Sequence, residues 1–401
     1  MFRRIFSGKV QGYFIRQFSV CELPQELQDI QKTCRNFANR ELKPVAAALD
    51  ANSRFPAEQM KNLADLGLMR VTVDTEYGGS NLNMLALSLV VEELSSGCGA
   101  TGSIVSIHNC LYADMLNRLG TKQQKELFFG KYPRETIGVF ALSESDAGSD
   151  VAALDTMAVK EGDCWILNGT KAWVTSAAEA KSGIVFATVD SELKHKGITA
   201  FLLDFDQAAG LKVGNPEDKL GIRASSTCSL YLENVHIPVK NVLGPIGGGF
   251  RIAMEQLDRA RIGIASQALG IAQAALETAV QYAKQRKAFG QSLLELSPVR
   301  MRIAEMAVRI ESARLLVRKA ACEIDRNGRA TKACSMAKWI ASETATFAAH
   351  NCQQILGGMG YVKNMPAERY YRDARITEIY GGVTDVQKAV IAELTIGEMN
   401  A

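Results

Sequence analysis

Apolar positions in the first third of the chain keep the spacing of one helical face. Leu27, Ile30, Cys34 and Phe37 fall at i, i+3, i+7 and i+10. Pro56 opens a second helical run, and the Glu76–Ser80 segment, with two glycines, interrupts the pattern. Met84–Glu93 and Ile104–Leu119 are apolar enough to be buried helices, so residues 22–136 are predicted to form an N-terminal helical domain. Near Gly138 the period changes. Val139–Leu142, Cys164–Leu167, Gly183–Thr188, Gly197–Leu203 and Leu230–Pro238 are short runs of strand formers. They are punctuated by turn residues, including Asn168-Gly169, and predict a β domain over residues 137–243. From residue 244 to 401 the pattern is helical again. Phe250–Arg286, Pro298–Arg326 and Ala330–Leu356 each exceed an average helix, which predicts a bundle. Helix–sheet–helix order without βαβ alternation argues against a Rossmann fold. The expected class is therefore mainly α with a β insert.

The chain has 401 residues, of which 46 are basic and 43 acidic, and no stretch is long and apolar enough to span a membrane. That balance leaves no basic face for nucleic acid. Four histidines and nine scattered cysteines without a CxxC give no metal-ligand spacing, so no metal site is expected. The cysteines read as buried reduced thiols. Residues 1–18 differ in character. They carry Arg3, Arg4, Lys9 and Arg16 with no acid, and their apolar residues can share one helical face. This pattern is that of a mitochondrial transit peptide. Its four basic residues account for the excess of charge, since the remainder holds 42 basic against 43 acidic side chains.

Four stretches carry candidate chemistry: Phe140-Ala-Leu-Ser-Glu-Ser-Asp-Ala-Gly-Ser-Asp150; Asn168-Gly-Thr-Lys-Ala-Trp-Val-Thr175; Asp258-Arg-Ala-Arg261 with Arg286-Lys-Ala-Phe-Gly290; and Gln354-Ile-Leu-Gly-Gly-Met-Gly-Tyr361 with Pro366–Tyr380. In this order they resemble the acyl-CoA dehydrogenase family, most closely its short-chain members, over residues 22–395. The resemblance implies an N-terminal helical domain, a middle β-barrel-like domain and a C-terminal four-helix bundle. It also implies FAD, an acyl-CoA substrate, a homotetramer built as a dimer of dimers, electron-transfer flavoprotein as acceptor, and a place in the mitochondrial matrix.

In such enzymes a carboxylate removes the α-proton while the β-hydride passes to flavin N5. The resemblance assigns Phe140, Ala141, Leu142, Ser143 and Ser149 to the polar edge of the flavin, with Ser149 also bordering acyl-CoA. It assigns Trp173, Val174 and Thr175 to the ring. Trp173 offers a flat apolar wall; its alternative is an ordinary core aromatic in a strand. Arg286, Ser297, Gln354, Ile355, Leu356, Gly357 and Gly358, together with Val383, Thr384 and Asp385, match further FAD positions, some contributed across a dimer. The fork of Arg286 suits a pyrophosphate, and paired glycines allow close approach of backbone to a ligand or, alternatively, a helix cap. Asp258, Arg259, Ala260, Arg261 and Gly382 match acyl-CoA positions. Asp258 and Arg261 share a helix face, which is also the geometry of a solvated ion pair. Gly244–Phe250 has no phosphate-loop spacing and reads as a hinge, and the histidines read as structural.

The sequence departs from the family at the catalytic position. Tyr380 is followed by Gly381-Gly382-Val383-Thr384-Asp385, and Gly381 stands where the resemblance implies the glutamate base. Relatives that carry the base on the helix of the Asp-x-x-Arg element would place it at Ala260, so the relocated base is missing too. Val383 and Ser297 replace a Thr and a Gln associated with FAD, which weakens binding by about 0.5–1.5 kcal/mol per lost hydrogen bond. Glu378 and Asp385 are the candidate substitutes. Asp385 would face position 381 if the segment were helical, and Glu378 would otherwise pair with Arg375. Three readings compete: a dehydrogenase of reduced activity or relocated base, a non-catalytic acyl-CoA and FAD-binding paralogue, and a flavin oxidase, which the missing carboxylate disfavours. The leader reading predicts that protein from its native source begins near Ser19. Mass spectrometry that finds intact Met1 refutes it.

Overall fold

The computed structural model describes residues 23–400, so the leader lies outside the described residues. The N-terminal helices are α1 (Gln25–Phe37), α2 (Ala46–Ala51), α3 (Ala57–Asp65), α4 (Met84–Gly97), α5 (Gly99–Ile107), α6 (Asp114–Leu119) and α7 (Lys122–Gly130). The predicted stripe of α1 is its buried face. Every residue of α4 and α5 is buried, as their all-round apolar character requires. Thr121 and Gln124 form a reciprocal cap at the start of α7.

Eight strands follow between residues 137 and 243: β1 (Ile137–Ala141), β2 (Met157–Glu161), β3 (Cys164–Thr175), β4 (Ala180–Thr188), β5 (Ile198–Asp204), β6 (Leu211–Val213), β7 (Thr227–Pro238) and β8 (Val242–Leu243). Their order is β6-β7-β3-β2-β4-β5-β8, with β1 parallel to β4. The Asn168-Gly169 pair, expected as a turn, lies inside β3. There the ladder with β7 slips between Leu167 and Gly169, and the Asn168 carboxamide accepts from Asn234 N at 2.8 Å. The pair makes a bulge because its neighbours on both sides are paired with β7.

The C-terminal part is built on three long helices, α8 (Gly249–Gln285), α9 (Ser297–Asn327) and α10 (Thr331–Leu356), followed by α11 (Gly358–Tyr361), α12 (Ala367–Ile376) and α13 (Thr384–Met399). The Gly244–Phe250 hinge leads out of β8 into α8. A small hairpin, β9 (Lys287–Ala288) with β10 (Gln291–Ser292), separates α8 from α9 and leaves Phe289 exposed at its tip. Pro298 in the first turn of α9 and left-handed Gly328 after its end mark that helix's limits. No described helix is long and apolar enough to cross a membrane. Among the described residues every cysteine is free, and no three His, Cys, Asp or Glu side chains gather as metal ligands.

The three regions share one core. The first turns of α8 bring Ile252 and Ala253 against Ile184, Phe186 and Ile198 of the sheet, while its middle packs on α4, α5 and α10. Charged side chains tie the regions where apolar packing ends. Arg372 of α12 grips both oxygens of Asp50 at 2.7 and 3.0 Å, and Asp373 accepts from Ile222 N in the β domain at 2.6 Å. Asp325 of α9 accepts from Met84 N and Leu85 N at 2.8 and 3.1 Å, which satisfies two orphan donors at the start of α4. Removing that acceptor leaves two amides without a partner in a part-buried site. Asp325→Ala is therefore expected to lower unfolding stability by about 1–3 kcal/mol, read as a shift of the denaturant midpoint at constant slope.

Candidate active site

Two clusters of the residues expected at a ligand, and one turn, stand out. In the first cluster, β1 runs into the 142–149 loop, and β3 fastens that loop from beneath. The Lys171 ammonium, with no solvent exposure, donates to Leu142 O at 3.1 Å and to Glu144 Oε1 at 2.7 Å, while Ala172 N donates to Ser143 O at 2.9 Å. Glu144 also accepts from Asp155 N and Thr156 N. Burial lowers the Lys171 pKa to about 8 against the pull of Glu144. The first two motifs thus form one surface. Trp173 follows Lys171 where the β3–β7 ladder slips a second time. Its φ is +61° and its side chain is 63% exposed, so the core-aromatic reading fails and the indole stands free as a wall. Val174 is buried beneath it, Thr175 is half-buried, and Ser149 is exposed at the loop's far end.

The second cluster lies at the far end of α8. Arg286, Ile355, Leu356, Gly357 and Gly358 line one groove of about 660 Å³ with Tyr282, Leu293, Met359 and Val362. Nothing lies within 4 Å of where a Cβ on Gly357 or Gly358 would stand. Gln354 is exposed beside it, and Ser297 is exposed at the first turn of α9. The β domain packs on α8 near Ile252 and Leu257, whereas Arg286 follows its last turn. At 1.5 Å per residue Leu257 and Arg286 are roughly 40 Å apart along the helix. One chain therefore does not bring its two groups of FAD candidates together.

The turn after α12 is the third element. Gly381 and Gly382 both adopt positive φ, +68° and +97°. Their carbonyls are taken. Gln387 Nε2, fully buried, donates to Gly381 O at 3.2 Å and Gly382 O at 2.9 Å, and Lys338 Nζ donates to Gly382 O at 2.8 Å. Tyr380 donates its phenol proton to Gln267 on α8. Among the described residues the amides of Gly381 and Gly382 have no acceptor. Two adjacent free N–H groups on a pinned turn can polarise a carbonyl oxygen.

Asp258 and Arg261 meet at 2.9 Å on α8, but the pair is buried and not solvated: Asp258 is 2% exposed. Thr331 donates to the other Asp258 oxygen at 2.6 Å, and Arg261 also meets Ser335 at 3.3 Å. Arg259 turns elsewhere, towards Asp114 at 3.4 Å, and Ala260 is buried. Val383 precedes α13, and Thr384 caps back onto Glu378 O.

The expected helical register between 381 and Asp385 is not present. Positive φ at 381 and 382 breaks the helix, α13 begins only at Thr384, and Asp385 faces solvent. Glu378 is spent on Arg375 at 2.6 Å and on the Thr346 hydroxyl. One candidate carboxylate is thus engaged and the other turned to solvent. Sequence reasoning did not single out Lys338, Gln387, Ile264 or the Glu144–Lys171 pair. The pair alone carried a signal, since both residues lie inside the first two motifs.

Three family models cover the chain in order: the acyl-CoA dehydrogenase N-terminal domain at residues 24–134, the middle domain at 139–235 and the C-terminal domain at 247–395. The chain belongs to the acyl-CoA dehydrogenase family. It is 52% identical to the mitochondrial short-chain specific acyl-CoA dehydrogenase of Bos taurus over 92% of this chain and 90% of the bovine protein. It is 43% identical to the short-chain specific acyl-CoA dehydrogenase of Clostridium acetobutylicum over 92% and 98% of the two chains. Butyryl-CoA dehydrogenase from Megasphaera elsdenii superposes with a TM-score of 0.91 at 37% identity, covering 95% of this chain and 100% of that one. A glutaryl-CoA dehydrogenase in complex with glutaryl-CoA gives 0.92 at 34% identity, covering 95% and 97%. The fold is the acyl-CoA dehydrogenase fold and the cofactor is FAD. The residues of this family member fit FAD: an exposed indole, an adjoining loop with Ser149 exposed, and a glycine-lined groove next to an arginine. Lys171→Met strips the buried counter-ion from Glu144, a change worth about 3–5 kcal/mol when it leaves a charge uncompensated. It is expected to weaken FAD retention at least tenfold, measured by flavin fluorescence on dilution, while far-UV circular dichroism stays unchanged.

Proposed function

We propose that this protein is a mitochondrial flavoenzyme of short-chain acyl-CoA dehydrogenation in which residue 381, the position of the base, has lost its carboxylate. FAD, when bound, supplies the hydride acceptor. The chain's own residues hold the loop and the indole that would receive the isoalloxazine. The observation that carries the reading is the Gly381–Gly382 turn. Its carbonyls are held by Gln387 and Lys338, and its amides are free to hold a thioester carbonyl oxygen. Electrostatic activation of the α-carbon would survive, while proton removal lacks a group to accept the proton. A butyryl-type acyl-CoA as substrate, electron-transfer flavoprotein as acceptor and the matrix as location follow from the relatives that the chain resembles.

A second subunit is part of the proposal. The separation of roughly 40 Å along α8 supports an assembly in which Arg286 and the 354–358 turn of one copy complete the flavin site on another. A homotetramer, a dimer of such dimers, extends that arrangement. Phe289, Tyr361 and Met359, exposed around the groove, suit such a contact.

The second reading is a non-catalytic paralogue that binds acyl-CoA and FAD. It is favoured by the positions of Glu378 and Asp385, both unsuited to replace the base. Anaerobic addition of butyryl-CoA separates the two: bleaching of the flavin band indicates dehydrogenation, and binding without bleaching indicates the paralogue.

Restoring the base requires more than one substitution. A non-glycine residue at φ +68° carries about 1–2 kcal/mol of strain, and a Cβ on Gly381 would lie 2.4 Å from Ile264 Cδ1. Ile264→Val removes that methyl at a cost of about 0.5–1.5 kcal/mol. Gly381→Glu alone is expected to lower the melting temperature. Gly381→Glu with Ile264→Val is expected to raise the bleaching rate by about 10²- to 10⁴-fold with little change in acyl-CoA affinity. A folded, FAD-loaded double variant no faster than the parent overturns the claim that the missing carboxylate limits the reaction.

A further inference from the structure

Asp373 of α12 is a buried acid outside the 381–382 turn. It is 3% exposed and takes part in no ion pair among the described residues. Its Oδ1 accepts from Ile222 N at 2.6 Å. Ile222 has a φ of +51°, in the left-handed region that a β-branched side chain avoids. Such a conformation persists only where its surroundings hold it. The acceptor that holds this one is a side chain of another region of the chain.

Neighbouring contacts press the same loop onto α12. Arg372 Nη1 donates to Leu220 O at 3.1 Å, and a Cβ on Gly221 would stand 2.4 Å from Arg372 O. Ala224 and Ser225 are buried, and Ser225 N donates to Ile222 O at 3.1 Å. One residue on, Ser226 O accepts from Ser176 N at 2.8 Å, and Thr227 pairs with Thr175. Residues 222–227 are thus a short bridge from α12 to the strand that carries Trp173 and Thr175. In the other direction α12 ends at Ile376, and hydrogen-bonded turns through Thr377, Ile379 and Tyr380 carry it on to Gly381. Asp373 stands where the bridge and the approach to the turn meet.

We propose that Asp373 is a positioning residue: by holding the strained Ile222 amide, it fixes the Trp173–Thr175 wall against the Gly381–Gly382 turn. The inference rests on the reading of those two elements as contacts of flavin and thioester. A misplacement of about 1 Å between reacting groups costs on the order of a hundredfold in rate, so the register of wall and turn matters. The groups that face the carboxylate are Arg369 and Arg372 from α12, Asp50 from the end of α2, and Cys98 between α4 and α5. Arg223 of the loop is taken by Asp50 O at 3.2 Å. Burial outweighs the two arginines and raises the Asp373 pKa to about 6. An opened bridge would hydrate Asp373 and return it to the ordinary carboxylate range, so the closed bridge binds the proton more tightly. Closure therefore gains as pH falls below about 6, and that gain is absent at higher pH.

The test uses the full FAD-loaded protein and reads three quantities: hydrogen–deuterium exchange of residues 219–227, the rate of FAD release on dilution, and the unfolding midpoint. Asp373→Ala removes the acceptor and is expected to speed both exchange and FAD release at least tenfold. Asp373→Asn keeps an acceptor oxygen without the charge. It is expected to hold the loop, and to abolish the rise in FAD release that the parent shows from pH 5 to pH 8, at least threefold. Asp325→Ala breaks a tie of the same kind that touches neither wall nor turn; it is expected to lower the midpoint and leave FAD release unchanged. A folded Asp373→Ala protein with parental exchange and FAD release overturns the inference. So does an equal rise in FAD release in Asp325→Ala, because stability alone then accounts for it. If Asp373→Ala does not fold, the pH profiles decide: a parental rise that persists in Asp373→Asn overturns the inference, and its disappearance supports it. Each of these outcomes leaves the function proposed above standing, whereas parent protein that takes up no FAD overturns both.

Discussion

One helix sets the terms for the whole molecule. Helix α8 is 37 residues long, and its middle, from Asp258 to Ala275, is buried almost without interruption. A helix buried on every side is stable only if other elements cover every side and pair its polar groups. The sheet covers its start, α4 and α5 one flank, and α10 the other. The crossing with α4 is close: a Cβ on Gly270 would stand 2.2 Å from Glu92 O, so only glycine permits the backbones to approach this far. The three regions are therefore not independent beads. Each supplies a wall of the same core, and the charged ties at Asp325, Arg372 and Asp373 close the seams where apolar surface runs out.

That constraint also places the chemistry. Because α8 spans the protein, it carries the Asp258–Arg261 pair near one end and delivers Arg286 at the other. The β domain can present Trp173 and the 140–149 loop only at the first end. A flavin extended between both groups of residues would have to cross roughly 40 Å within one chain. That length is what the proposed sharing of the site between copies rests on. The small hairpin tip, Phe289, stands exposed at that second end.

Much of this was legible in the residues. The change from a helical to an alternating period near Gly138 marks the start of β1, and the three long C-terminal runs match α8, α9 and α10 to within a residue or two. The motifs around 140–149 and 168–175 converge on one surface because Lys171 and Glu144, two of their own members, bind each other. What the sequence hid was backbone conformation and long-range pairing. Asn168-Gly169 has the composition of a turn, but pairing of the flanking residues with β7 overrides local preference. Asp385 was placed by helical spacing, and two positive φ angles cancelled that spacing. Lys338 sits in an alanine-rich helix more than forty residues from the carbonyl it binds, and no local pattern reports such a contact.

On the proposed reading, a glutamate at 381 would combine two functions that glycine separates. Its carboxylate would accept the proton, whereas the backbone of the same residue would polarise the thioester; glycine would keep only the second. The protein around it has not been rebuilt as a neutral, apolar pocket: Lys338, Arg261 and Gln387 remain, fully buried or nearly so. A site that had merely lost function would gain stability by replacing an unpaired buried ammonium with an apolar side chain of similar size. Retaining it carries a standing penalty, which the single hydrogen bond to the Gly382 carbonyl offsets only in part.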